Sequence, residues 1–330
     1  MSTRRATLAL GLLATPAFAQ SPALAQIDQW PRRPVRILVP AAGGGSSDPV
    51  ARLLAQDFTR RFGQAFVVEN RPGAAGNVGM AAAARAPADG YTLLFAFAGP
   101  LATNLALYRD LSFHTQRNFD AVALSGGVPN VLIVGCASPI TSLADFIQRA
   151  RAAPGAIAYG STGSGSSMHL SGAMLAAATG AQLTHVPYSS PAAATTDVMA
   201  GRLDSMFLGV PGAVPLLRGG EIRALAVLGA ARSAALPEVP TAVEQGLPGV
   251  VMGTWFALLA PKGTPRAIIR ALNAAVNENL AGPGREFLTQ LGLELEGGMA
   301  GGTPDQAEAF IAAEIIRHAG LVRAAGIQVE

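Results

Sequence analysis

Apolar positions along the chain switch repeatedly between a two-residue and a 3.6-residue period, with glycine or proline at most of the switches. VRILV (35–39) is a short apolar run of strand type. DPVARLLAQDFTRRF (48–62) then places Val50, Leu53, Leu54 and Phe58 on one helical face, with Pro49 suited to the first turn. AFVVEN (65–70) reads as the next strand, and RPGAAGN as the turn that ends it. A small-residue helix (78–86) and the strand YTLLFAFA (91–98) complete a βαβαβ rhythm, which predicts a mostly parallel sheet covered by helices.

A second set of the same kind starts near residue 126. NVLIVG (130–135) reads as a strand, and the helix after it opens with a capping box from Ser142 to Asp145. IAYGS (157–161), THVPY (184–188), LDSMFLG (203–209) and IRALAVL (222–228) are further strands with helices between them. The proline-rich ALPEVPT (235–241) precedes one more strand, VMGTWFALLAP (251–261), and three helices. There is no fixed-period repeat.

Half of the 330 residues are hydrophobic and 14% are charged, which suits a well-buried α/β protein with ample core. The net charge of +3 comes from arginine, since Lys262 is the only lysine. The arginines form pairs (Arg4/Arg5, Arg32/Arg33, Arg60/Arg61) and no stripe with interleaved aromatics, so no nucleic-acid partner is expected. The first 26 residues read as an export signal: Arg4 and Arg5, the apolar run ATLALGLLA, then A-x-A at Ala17–Ala19 and Ala23–Ala25. Thr3–Arg5 leaves a twin-arginine route open beside the general one. Periplasmic location follows as an expectation. Cys136 cannot form an internal disulfide, and NVLIVGCAS predicts an inert, buried thiol.

The candidate chemistry lies in two glycine-rich turns. In PAAGGGSSDP the Walker lysine is missing, and Asp48 stands where a dinucleotide fingerprint needs its third glycine. What remains is a helix start with free backbone N–H groups, a positive dipole end and the hydroxyls of Ser46 and Ser47, a setting for one small anion such as a carboxylate. Asp48 reads as a cap or first-turn residue facing away from it. A plain tight turn with a serine cap explains this loop equally well. YGSTGSGSSMHLSG repeats the arrangement in the second set and places His169 in the first helical turn, as an anion donor or as a capping or packing residue. Two such helix starts facing each other across a cleft would clamp a small carboxylate. No G-x-S-x-G elbow, nucleophile–base pair or metal-ligand spacing among His114, His169, His185 and His318 is present, so neither an enzyme nor a cofactor or metal is expected.

The segments WPRRPVRILVP, VVENRPGAAGNVG, ADGYTLLF, NLALY, PNVLIV, YGSTGSGSSMHLSG, THVPY, ALPEVPT, TWFALLAPKGTP and AAGI stand in order over the whole chain from Trp30. Together they resemble the Bug-type periplasmic solute-binding proteins, the receptors of tripartite tricarboxylate transporters. The resemblance implies a two-domain periplasmic binding protein of type II-like α/β fold, with the ligand in the interdomain cleft. Residues 27–125 and 229–330 would form domain I and residues 126–228 domain II. It implies ligand contacts from Gly44, Gly45, Ser46, Ser47, Asp48 and Gly99 on one side. On the other would stand Ser161, Thr162, Gly163, Ser166, Ser167, His169 and Tyr188. The expected partners are a small carboxylate and the transporter's membrane subunits, and the receptor is expected to be a monomer. A ligand sensor signalling to a membrane kinase is the second reading on this scaffold.

Three departures from the family pattern bear on the ligand. Ala41, Ala42 and Gly43 replace an aromatic and prolines, Ser189 and Ser190 replace a cation and glycine, and Leu208 and Gly209 replace an Asp-Asn pair. Losing that carboxylate disfavours an amino-acid ligand, whose ammonium wants one. A mono- or dicarboxylate with an apolar body, aromatic bodies included, fits better.

Overall fold

The computed structural model describes residues 30–43, 46–295 and 299–327. The expected export signal (1–26), Gly44 and Gly45 lie outside the described residues. The strands, in chain order, are β1 (Val35–Val39), β2 (Phe66–Asn70), β3 (Thr92–Phe97), β4 (Phe119–Gly135), β5 (Ile157–Ser161), β6 (Leu183–Pro187), β7 (Ser205–Gly209), β8 (Ile222–Val227), β9 (Gly253–Pro261) and β10 (Ala300–Gly301). The α-helices are α1 (Ser47–Phe62), α2 (Asn77–Ala84), α3 (Asn104–Leu107), α4 (Thr115–Asn118), α5 (Leu143–Ala152), α6 (Ser167–Thr179), α7 (Pro191–Met199), α8 (Val210–Arg218), α9 (Arg266–Ala281), α10 (Pro283–Gln290) and α11 (Pro304–Ala324). Among the described residues no helix is long and apolar enough to cross a membrane.

The strands form two arms that share β4. In the first arm β1 lies between β2 and β3, all parallel, with Arg36 level with Val67 and Thr92. In the second, β5 lies between β6 and β7, again parallel. These are the strands joined by helical crossovers, as the βαβ rhythm predicts. Each arm is nevertheless a mixed sheet. β9 runs antiparallel to both β3 and β4, and β7 and β8 flank the far half of β4 antiparallel. The direction of β4 and β9 depends on pairing across more than a hundred residues, which local periodicity does not encode.

β4 is 17 residues long and buried throughout, whereas the sequence reading recognises only its last six. Gly126, Gly127 and Pro129 act as breakers in the sequence, but here they sit where the strand shifts register and passes from one sheet to the other. Opposite them, a Cβ on Gly253 would lie 2.2 Å from the Val128 carbonyl oxygen, so only glycine permits β9 to approach β4 there. Next to this point the chain closes a ring of backbone hydrogen bonds. Asn130 N donates to Met252 O (3.0 Å), Met252 N to Leu228 O (2.9 Å) and Leu228 N to Asn130 O (2.7 Å). The two chain segments that pass between the arms, β4 and 228–252, are thereby tied at one spot.

Alternation along β4 supplies both cores of the second arm. Leu132 and Val134 face a cluster with Phe146, Tyr159, Leu170 and Phe207, while Val131 and Ile133 face Ala194, Val198, Met206 and Leu208. In α1, Val50, Leu54 and Phe58 are buried as their spacing predicts, and Leu53 is half-buried. Cys136 departs from expectation. β4 ends at Gly135, so the cysteine falls in the following turn and is exposed rather than a core thiol.

Candidate functional site

The first loop leaves the C-terminal end of β1, the edge at which parallel α/β sheets present their loops to ligands. Two other strand ends build its surroundings. After β2, Ala74 and Ala75 both take left-handed backbone angles (φ 45° and 53°), a strained arrangement for residues with a Cβ. The Asn104 side chain holds this turn by donating to Ala75 O (3.0 Å) and to Asn77 Oδ1. After β3, Gly99 opens a π-helical turn (Gly99–Thr103) that continues into α3. A Cβ on Gly76 would lie 3.0 Å from Pro40 O and 3.1 Å from Pro100 Cβ, so the three strand ends are in close contact.

Asp48 faces its own helix and β2. It accepts from Arg52 Nε (2.8 Å) and from Asn70 Nδ2 (3.1 Å). The guanidinium neutralises the carboxylate that would otherwise repel an anion at this helix start. Ser46 is the N-cap residue of α1, yet its side chain makes no capping bond. The Ser46 and Ser47 hydroxyls have no partner among the described residues. Pro49 has no N–H to offer in the first turn, so the helix start presents one backbone donor fewer.

The second loop follows β5 and is built largely from its own hydrogen bonds. Ser161 Oγ accepts from Gly163 N (3.0 Å) and lies 2.6 Å from His185 Nε2. Ser166 caps α6: its hydroxyl donates to Gly163 O (2.8 Å) and accepts from His169 N (3.2 Å). Ser167 stands next to it with a hydroxyl that has no partner among the described residues. Thr162 is exposed, its hydroxyl 3.9 Å from Met168 Sδ. Tyr188 N donates to Ser161 O (2.8 Å), while its hydroxyl turns away to Asp197 Oδ2 (2.8 Å).

His169 is engaged inside the loop. Its Nδ1 accepts from Gly165 N (3.2 Å), which places its proton on Nε2. Its ring stacks on His185 with centroids 3.8 Å apart and planes 2° from parallel. Tyr159 flanks both rings. Burial, with the His185 ring beside it, pushes the His169 pKa down to about 4. Both functions weighed for it in the sequence, anion donor and packing residue, have to pass through a neutral imidazole.

The segment 99–107 touches both the turn after β2 and the second loop. Pro100 meets the first-arm turn at Gly76, and Leu107 and Thr103 meet Gly165 of the second loop. Gly165 takes φ +77°, and a Cβ there would lie 2.0 Å from Leu107 Cδ1. Gly165→Ala is therefore expected to cost about 1–3 kcal/mol through strain and overpacking, read as a lowered urea midpoint. An unchanged midpoint would show that Leu107 moves aside freely. Sequence reasoning did not find Asn70, Asn77, Asn104, Tyr159 or His185, because each acts through a partner distant in the chain. The clustered glycines of RPGAAGN were the one local signal for the strained turn.

Two α/β arms on a shared strand, with hydroxyl-bearing strand–helix loops at their strand ends, are the architecture this chain shares with the periplasmic binding protein BugD. Residues 50–327 match the Tripartite tricarboxylate transporter family receptor, and the chain belongs to that family. It is 36% identical to Protein BugT of Bordetella pertussis over 333 residues, covering 100% of both chains. A protein from R. palustris solved with adipate is 38% identical, with TM-score 0.84 over 91% of this chain and 99% of that one. MatC from Rhodopseudomonas palustris with bound malate is 32% identical, with TM-score 0.79 over 89% of this chain and 100% of that one. The family is described as one of transporter receptors.

Proposed function

We propose that this receptor encloses a small mono- or dicarboxylate between the first loop (Gly44–Asp48) and the second (Ser161–His169) and delivers it to the membrane subunits of a tripartite transporter. Export to the periplasm by residues 1–26 and domain boundaries near 125 and 228 are part of the same reading. One observation carries it: each helix start keeps serine hydroxyls, those of Ser46 and Ser47 and of Ser167, that the described residues do not use. With Asp48 neutralised by Arg52, both helix dipoles present net positive ends. The adipate and malate held by the two neighbours support a carboxylate as the class. The small, solvent-facing Ala42 and Gly43 and the buried Leu208 suit a ligand with an apolar body.

A thermal-shift screen of the chain lacking residues 1–26 against carboxylates, adipate and malate among them, tests the class. A bound carboxylate at about 100 times its Kd is expected to add about 2.7 kcal/mol of stability. A panel in which neutral sugars shift the midpoint and no carboxylate does would remove the anion clamp. Ser47→Ala and Ser167→Ala are each expected to weaken the bound carboxylate about tenfold or more, because each removes a hydrogen bond to a charged group. Affinities equal to that of the unsubstituted chain would take both hydroxyls out of the site.

A further inference from the structure

Away from the strand ends, a cavity of about 410 Å³ opens between α3 and α4, lined by Tyr108, Arg109, Leu111, Phe113, His114 and Arg117 among others. Its volume lies in the range of small-molecule pockets, too large for a lone inorganic ion and suited to an organic one. Its charged lining is wholly cationic, and neither Arg109 nor Arg117 has a hydrogen-bond or ion-pair partner among the described residues. The other cavities differ. In the groove beside β2, Arg52 and Arg60 are already paired with Asp48 and Asp57, and in the cavity under α11 Lys262 is paired with Asp120.

We propose that this cavity is a second binding site, for an organic anion bearing two acidic groups that Arg109 and Arg117 hold while Tyr108, Leu111 and Phe113 receive its apolar body. Guanidinium forks pair with carboxylate or phosphate oxygens through two parallel hydrogen bonds, and the two arginines call for two such groups. His114 completes the site. Its Nδ1 is shut away from water and has no partner among the described residues, and its backbone N donates to Asn118 Oδ1 (2.7 Å). Burial and then the Arg117 charge push the His114 pKa down. An anion bound between the arginines offsets that charge and lifts the pKa back.

The test follows the His114 ring signal by NMR in the chain lacking residues 1–26, assigned through His114→Gln. Isophthalate and inorganic phosphate are the probes, added with the cleft already saturated by whichever carboxylate stabilises it. Isophthalate is expected to shift the signal saturably at millimolar concentration and to raise the His114 pKa. The double variant Arg109→Gln/Arg117→Gln is expected to weaken it about tenfold or more. Both arginines are exposed, so the variant folds and its other histidine signals serve as the internal check. A His114 signal that neither probe moves overturns the site, as does a shift of equal size and midpoint in the double variant. A response to phosphate alone overturns the assignment to an organic dianion. Because the readout is His114 and not the loops, an empty cleft leaves the result interpretable.

Discussion

Glu314→Ala is expected to destabilise the protein by about 3–5 kcal/mol at pH 7, the cost of breaking a buried ionic network from one side. The Glu314 carboxylate on α11 is 12% exposed and accepts from Trp255 Nε1 (2.8 Å) and from Arg317 Nε (2.6 Å) and Nη2 (2.8 Å). Its Oε2 also lies 3.3 Å from Nε2 of His318, a side chain only 1% exposed, whose Nδ1 is 2.7 Å from Thr103 Oγ1. Alanine leaves the indole N–H without its acceptor and takes the carboxylate away from Nε2 of the imidazole, which keeps Thr103 on its other nitrogen, while Arg317 turns to water. Despite burial, which acts the other way, the His318 and Arg317 hydrogen bonds hold the Glu314 pKa down to about 2, against 4.5 for a free glutamate. The folded form thus prefers the carboxylate. Its contribution is complete above pH 4.5 and disappears as pH falls toward 2, about 3 kcal/mol in all. Urea unfolding of both proteins at pH 7 and pH 3 checks this. The gap between them is expected to narrow at the lower pH, and a constant gap would mean that the carboxylate's charge contributes nothing.

That network also marks how far local reading reaches. β1 and β5 have the limits their apolar runs predict, and Ser142 caps the helix read after it, its side chain accepting from Asp145 N. Periods and caps are written within a few residues. The early half of β4 was invisible because its glycines and proline are breakers everywhere except at a register shift between two sheets. Of the candidate site, the position of both loops was legible, since glycines and hydroxyls before a helix leave few other geometries. The partners that shape them were not. His185 reaches Ser161 from a neighbouring strand, Asn104 reaches the strained Ala75 across 29 residues, and His318 reaches Thr103 across 215. Nothing in the composition around any of these side chains distinguishes it from an ordinary core or surface residue.

Acidification between pH 6.5 and 4 is expected to remove about 2–3 kcal/mol of stability through His169, a window above the one set by Glu314. Burial and the adjacent His185 lower the His169 pKa from 6.5 to about 4, and burial lowers that of His185 as well. Below 6.5 the unfolded chain takes up a proton that the folded loop refuses, so the folded state loses ground until the pH reaches the folded pKa. The geometry explains the refusal. A proton on His169 Nδ1 would confront the Gly165 N–H that now donates to it, and would set a charged ring face to face with His185 at 3.8 Å. The neighbours that face the pair are Tyr159 and Ser161, neither of which supplies a negative charge. His169→Asn keeps an acceptor near the Nδ1 position and cannot titrate, so it is expected to flatten stability against pH between 6.5 and 4. Amide exchange in the same range is expected to show Gly165 losing protection first in the unsubstituted protein, because its N–H is the donor that protonation displaces. An equally steep acid limb in His169→Asn would assign the loss to His185 or to groups outside the loop.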